Sequence, residues 1–161
     1  MSFEKLIRER FSVREFKKNP VEREKLDKIL QAGSIAPTAR NQQPQRIKII
    51  KTAQELAKID ECSPCRFGAP LVLLICYDKT ACEITLSGET DLGIVVTHMV
   101  LQAWELGIGS CWVHWFDRQK IRELFDLPDN FVPVTLLPLG YTACDTSANF
   151  GNRFPVKDLI F

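Results

Sequence analysis

The stretch 91–106 constrains this chain more than any other feature. Leu92, Ile94, Val95, Val96, Met99, Val100, Leu101 and Trp104 leave it without a polar face, and Gly107 supplies the stop. A helix that is apolar nearly all round must be covered on every side. With 161 residues the chain is the size of one domain, and too short to wrap such a helix completely. Part of the cover is therefore expected from a second subunit. No internal repeat, low-complexity tract or linker divides the sequence, so residues 1–161 read as a single domain.

Composition narrows the function classes. Lys and Arg number 21 against 20 Asp and Glu, a net charge of +1, and 45% of residues are hydrophobic. These values exclude disorder and a broadly basic surface for nucleic acid, yet leave room for a local cluster of positive charge. The first ten residues carry Glu4, Lys5, Arg8, Glu9 and Arg10, too much charge for a signal-peptide core. The longest apolar run, 69–77, is about half the ~20 residues that cross a bilayer. Cys62, Cys65, Cys76, Cys82, Cys111 and Cys144 are scattered, and no disulfide framework is required. A cytoplasmic protein with reduced thiols, and with no membrane partner, is the expectation. Cys62 and Cys65 form a CxxC, open to three readings: a redox dithiol, half a zinc site, or bystanders. No second CxxC or HxxxH completes a zinc set and no thioredoxin-like unit surrounds the pair, which favours bystanders.

Hydrophobic spacing predicts the remaining elements. Phe3, Leu6 and Ile7 mark a short helix over 3–10. Asn19 and Pro20 open a second helix, Leu26, Ile29 and Leu30 form its buried stripe, and Gly33 ends it. Residues 46–51 read as a strand, Thr52 and Glu55 as a capping box for a helix to Ile59, and 71–77 as a buried strand. An extended piece follows over 110–114, then a helix capped by Asp117, carrying Ile121, Leu124 and Phe125 and ended by Pro128. Residues 132–139 form another strand, which Pro133 and Pro138 assign to a sheet edge. The apolar stretch 154–161 must pack onto this subunit or another.

The chemistry lies in three segments. In Arg10-Phe11-Ser12-Val13-Arg14 an extended backbone turns the two arginines and the serine to one side and Phe11 and Val13 to the core. Two guanidiniums and a hydroxyl on one spot suit a dianionic phosphate, although a solvated charged turn fits the segment taken alone. The run Ala36-Pro37-Thr38-Ala39-Arg40-Asn41-Gln42-Gln43-Pro44 offers donors and acceptors for a polar heterocycle or sugar-alcohol chain, or is a plain helix-to-strand connector. Arg153 lies in Asn152-Arg153-Phe154-Pro155 near the C-terminus. There is no GxGxxG, no Walker loop and no HExxH, and Gly107-Ile108-Gly109 lacks a third glycine.

Together these segments resemble the nitroreductase family of flavoproteins. That family's Arg-x-Ser-x-Arg/Lys motif matches Arg10, Ser12 and Arg14, and its Pro-Ser-x-x-Asn-x-Gln-Pro loop matches Pro37, Thr38, Asn41, Gln43 and Pro44. Residues 103–117, Leu137-Pro138-Leu139-Gly140-Tyr141 and Arg153-Phe154-Pro155 follow in the family's order. The resemblance implies an α+β fold, with a mixed, largely antiparallel central sheet flanked by helices, assembled as an intertwined homodimer with FMN at the subunit interface. It implies that Arg10, Ser12, Arg14 and Arg153 hold FMN in one subunit while Pro37, Thr38, Ala39 and Asn41 reach it from the other. Backbone groups around Val113, His114 and Trp115 would lie against the isoalloxazine, an N–H directed at N5. NADH or NADPH would serve as transient reductant and a nitroaromatic, quinone or similar small molecule as acceptor, with no side chain assigned as catalytic acid or base.

Several positions depart from the family pattern. Only residues 78–90 separate the central strand from the long helix, so the pocket is expected to be open. Arg66 stands near where the family places a lysine for the flavin pyrimidine, Gln45 replaces a common aromatic, and His114 and Trp115 are bulky beside the flavin. Trp104 and Trp112 read as packing residues, and His98 as a hydrogen-bonded core or interface residue. Two alternatives to an NAD(P)H oxidoreductase stay open. One is a flavin-binding redox sensor with little turnover, reporting through Cys62 and Cys65. The other is a different reaction on the same fold, reductive dehalogenation or flavin fragmentation.

Overall fold

A computed structural model describes residues 1–82, 87–144 and 153–160. Residues 83–86, Asn152 and Phe161, which figured in the sequence argument, lie outside them. Strands β1 (Gln45–Ile50), β2 (Leu71–Asp78), β3 (Gly109–Ser110) and β4 (Phe131–Gly140) form one sheet in the order β1-β2-β4-β3. All three strand pairings are antiparallel, with Ile47 opposite Ile75 and Leu73 opposite Leu137. A parallel bridge between Ser12 and Ser110 adds the N-terminal segment beside β3, which makes the sheet mixed. The α+β architecture is the expected one.

The unbroken apolar run of β2 follows from burial on both faces. Leu71, Leu73 and Ile75 face one core with α2 (Arg23–Ser34) and α4 (Ser87–Glu105). Val72, Leu74 and Cys76 face a second core with α3 (Ala53–Cys62) and α5 (Arg118–Leu124). On β4 a bulge opposite Ile75 and Cys76 shifts the alternation, so Val134 and Leu137, three apart, reach the same core.

That strand corrects one expectation. The prolines do not place β4 at an edge, because it lies between β2 and β3. Pro133 sits at the bulge, where a missing N–H is tolerated, and the Pro138 carbonyl accepts from the Cys111 N–H at 3.3 Å.

The start and end of α2 also differ from the sequence reading. It begins at Arg23 rather than beside Asn19 and Pro20, because a tertiary anchor sets its first turn: the Tyr141 hydroxyl donates to the Glu22 carboxylate at 2.7 Å and accepts from Lys25 at 2.7 Å. Gly33 does not stop the helix. It lies inside α2 against α4, where a Cβ would come within 2.8 Å of the Met99 side chain. The capping box is present, Thr52 Oγ1 accepting from the Glu55 N–H at 3.3 Å, and its helix continues past Ile59 to Cys62. α5 stops at Leu124, where Asp126 takes a left-handed φ of 48°, ahead of Pro128.

Cover of α4 by its own chain is partial. Leu92, Val95, Val96, Met99 and Ala103 are buried, whereas Ile94 is exposed and Leu101 and Trp104 are half-buried. Phe3 and Ile7 of α1 (Phe3–Glu9), with Phe154, Val156, Leu159 and Ile160, are exposed as well. Among the described residues no helix is long and apolar enough to cross a membrane.

Asp78 closes β2 with a compact polar knot. Its Oδ1 accepts from the Thr80 N–H (2.9 Å), the Thr80 hydroxyl (2.6 Å) and the Asn130 amide (2.7 Å), and its Oδ2 from Arg46 (3.1 Å). Hydrogen bonds from Thr80 and then Asn130 depress its carboxyl from 3.8 to about 2. A depressed carboxyl contributes stability that is fully present above its unfolded value and is lost as pH falls through its folded one. Wild-type thermal stability is therefore expected to fall between pH 4 and pH 2, and Asp78→Asn to flatten that fall, as measured by melting temperature against pH.

Candidate active site

The Arg10 to Arg14 segment takes the alternating geometry its residue types require. Phe11 and Val13 are buried with Phe16 and Ala69, and the Phe11 ring meets Trp104 edge-on at 5.1 Å. Arg10 and Ser12 are half-buried and Arg14 is exposed on the opposite side. The Val13 N–H donates to the Ser110 carbonyl at 2.9 Å, so β3 fixes the segment's height and direction. Gly109 makes this docking possible, since a Cβ there would lie 2.7 Å from Val13 Cγ2 and 3.3 Å from the Gly140 carbonyl oxygen.

Positive charge collects around this segment. Burial lowers the Arg10 pKa, and the charge of Arg153 lowers it further, which brings the C-terminal arginine into the field of the N-terminal one. The Cys111 thiol, raised by burial, is pulled back by Arg14 and Arg10. A cavity of about 290 Å³ opens here, lined by Arg10, Ser12, Ser110 and Trp112 and by Thr97, Val100 and Leu101 from α4. Its volume lies just below the ~300–1,000 Å³ range of ligand and cofactor sites.

Sequence reasoning missed the α4 lining and assigned Trp112 to packing. Its indole is 36% exposed, lines the cavity and stacks on the His114 ring at 5.7 Å. The i, i+3, i+4 spacing of Thr97, Val100 and Leu101 is the signal that marks one helix face.

The Pro37 to Pro44 loop is strained and tightly held. Arg40, Asn41 and Gln43 all take left-handed φ values, 51°, 57° and 48°. Such non-glycine conformations cost about 1–3 kcal/mol each and concentrate at functional sites. The Ala39 N–H donates to Asp91 Oδ1 at 2.9 Å and the Gln43 N–H to Thr38 Oγ1 at 3.0 Å. Asp91, 3% exposed within α4, was read from sequence only as the start of that helix. Among the described residues its Oδ2, both polar atoms of the Gln42 amide and Oε1 of Gln45 are buried without a partner. Pro37 and Asn41 are exposed and Thr38 and Ala39 half-buried, and none of the four lines the arginine cavity of its own chain.

The 113–117 turn divides its polar groups. Val113 is buried and spends both backbone groups on Leu136, each at 3.0 Å. His114 and Trp115 are exposed, and among the described residues their N–H groups have no protein partner. Arg66 is engaged elsewhere: it donates twice to Asp60 at 2.6 Å and to the Ala69 carbonyl at 2.9 Å. His98 is half-buried with Nδ1 2.9 Å from the Ile94 carbonyl oxygen. Cys62 is buried and its thiol is raised by desolvation, which disfavours the reactive thiolate.

Comparison with known proteins places this geometry. The model of the nitroreductase family matches residues 7–67 and 63–141. A candidate NADH dehydrogenase/NAD(P)H nitroreductase of Methanothermobacter thermautotrophicus is 32% identical over 146 residues, 85% of this chain and 75% of that protein. The crystal structure of a nitroreductase family protein from Clostridium difficile 630 superimposes with a TM-score of 0.91 at 36% identity, over 100% of this chain and 98% of that one. An FMN-dependent nitroreductase of Clostridium difficile R20291 does so with 0.87 at 26% identity, over 99% and 98%.

The contact at Gly109 is testable. Gly109→Ala forces Val13 from a buried position and is expected to cost about 1–3 kcal/mol, read by urea unfolding. The same variant is expected to loosen the Val13 amide in hydrogen exchange; unchanged stability and protection would contradict this seating.

Proposed function

This chain belongs to the nitroreductase family, and from that premise we propose that it is an FMN-dependent NAD(P)H oxidoreductase. The carrying observation is the arginine-rich segment: Arg10 and Arg14 flank Ser12, the charge of Arg153 acts on Arg10, and Arg10 and Ser12 line a cavity. Like charges held together in a half-buried site are stabilised by a bound dianion, and the hydroxyl and guanidiniums supply the charge-assisted hydrogen bonds that a phosphate takes.

The residues present fit FMN. Arg10, Ser12, Arg14 and Arg153 would take its phosphate and pyrimidine ends. The N–H groups of His114 and Trp115 would face the ring near N5, while Val113 contributes the hydrophobic wall and the sheet anchor beneath them. Pro37, Thr38, Ala39 and Asn41 would complete the site from a second copy; within one chain neither they nor Arg14 and Arg153 are among the residues that line the cavity. The exposed apolar side chains of α1, of α4 and of the C-terminal segment support the homodimer that this requires.

When bound, FMN supplies the redox chemistry, accepting hydride from NADH or NADPH and passing electrons to a nitroaromatic, quinone or similar acceptor in ping-pong order. The protein's part is orientation and electrostatics. The arginines hold the anionic end, and a backbone donor fixed by the 113–117 turn polarises the reacting edge. The absence of a Gly-rich dinucleotide turn suits a reductant that binds transiently and leaves.

The purified protein is expected to show a visible flavin band that bleaches anaerobically on adding NADH or NADPH. It should return on adding a nitroaromatic or quinone. Arg10→Ala with Arg14→Ala removes two charged hydrogen-bond donors, worth about 1.5–3 kcal/mol each, and is expected to weaken FMN at least about a hundredfold. A band that stays oxidised with both nucleotides, or undiminished FMN affinity in the double variant, would contradict the reading.

A further inference from the structure

A second cavity, of about 370 Å³, opens between β1, β2 and the 125–131 segment, and shares no lining residue with the arginine cavity. Cys76, Phe125, Leu127 and Phe131 supply apolar lining. Cys76 is 3% exposed and burial pushes its thiol up to about 12, so it carries no charge at neutral pH. The 125–131 wall is braced from within. Arg122 donates to the carbonyls of Phe131 and Pro128, the latter at 3.3 Å, and its own carbonyl accepts from the Leu127 N–H at 3.0 Å. The Phe131 N–H donates to the Pro128 carbonyl at 2.9 Å.

Cations stand on the rings of this wall. The Lys48 and Lys58 ammoniums lie 5.7 and 5.5 Å from the Phe125 centroid, and the Arg46 guanidinium lies 5.9 Å from that of Phe131. Ring contacts of this kind keep the ammoniums beside the apolar surface instead of out in water. Arg46 and Lys48 line the cavity against one carboxylate, Asp126. The acids that face these two cations from other elements are already engaged. Asp78, 3.1 Å from Arg46, is held by Thr80 and Asn130, and Glu55, which feels the charge of Lys48, is held in the Thr52 capping box.

We propose that this cavity is a second ligand site, for a small amphiphilic monocarboxylate. The apolar body would lie against Cys76, Phe125, Leu127 and Phe131, and the carboxylate would take charge-assisted hydrogen bonds from Lys48 and Lys58. Its volume falls within the ~300–1,000 Å³ range of ligand sites. The site goes beyond the flavoenzyme reading and does not depend on it.

The test is calorimetric titration of the purified protein with octanoate, acetate and octylamine. Octanoate is expected to saturate at one per chain. Acetate lacks the apolar body and is expected to bind at least about a hundredfold more weakly. Octylamine carries the opposite charge and is expected to bind at least about tenfold more weakly. Lys48→Glu, a change at an exposed position, is expected to weaken octanoate at least about tenfold and to strengthen octylamine. That exchange of preference is a signature that general loss of structure does not produce. Leu127→Trp fills the cavity and is expected to remove octanoate binding. The Arg10→Ala, Arg14→Ala variant is expected to keep octanoate affinity within about twofold, because distant sites act independently. Heats that do not saturate, octylamine binding as tightly as octanoate, or unchanged octanoate affinity in Lys48→Glu would each overturn the proposal. So would loss of octanoate binding in the arginine variant, which would assign the anion to the other cavity.

Discussion

The hydrogen bond from the Val13 N–H to the Ser110 carbonyl, with the side-chain packing around it, is the contact on which the site depends. It locks an extended segment beside the shortest strand of the sheet, and extended geometry separates its two kinds of side chain. Phe11 and Val13 go inward against Phe16, Ala69 and Trp104. Arg10, Ser12 and Arg14 are turned the other way. Burying Phe11 and Val13 stabilises the fold by roughly 1.5–3 kcal/mol each, and that burial offsets the electrostatic cost of gathering arginines in a half-buried place. Burial, and after it the charge of Arg153, lower the Arg10 pKa.

The same chain holds the rest of the proposed machinery away from that cavity. The left-handed residues Arg40, Asn41 and Gln43 lie in a loop restrained by Asp91 and Thr38, and polar atoms of Gln42, Gln45 and Asp91 are buried there without a partner among the described residues. Strain and unsatisfied polarity of this kind persist where the surrounding structure over-determines them. The apolar helix that opened the sequence argument leaves Ile94 exposed, alongside the exposed Phe3, Ile7 and C-terminal apolar residues. The proposed homodimer would cover these apolar residues and bring the loop to the cavity.

Much of this was legible in the sequence because it is local. Alternation in the Arg10 to Arg14 segment, the Thr52–Glu55 capping box and the doubly buried β2 all follow from spacing that each element keeps regardless of its surroundings. What was missed is set by contacts between distant residues. Gly33 packs against Met99 instead of ending α2, and Tyr141 sets the start of that helix. The prolines of β4 sit inside the sheet because a bulge and a bond to Cys111 accommodate them. Asp91 reaches Ala39 and Ser63 reaches Trp115, each across 52 positions of chain. No periodicity encodes a pairing at that separation.

The central claim is that one copy supplies the arginines and the other the loop. It is tested most directly by complementation between two defective chains carrying different affinity tags. One is the Arg10→Ala, Arg14→Ala variant, and the other has residues 37–41 replaced by glycine and serine. Each homodimer should bind no FMN. The mixed dimer, isolated through both tags, should bind one FMN per two chains, because one of its two sites takes intact arginines from one copy and an intact loop from the other. A mixed dimer that binds none would show that both halves of the site come from the same chain.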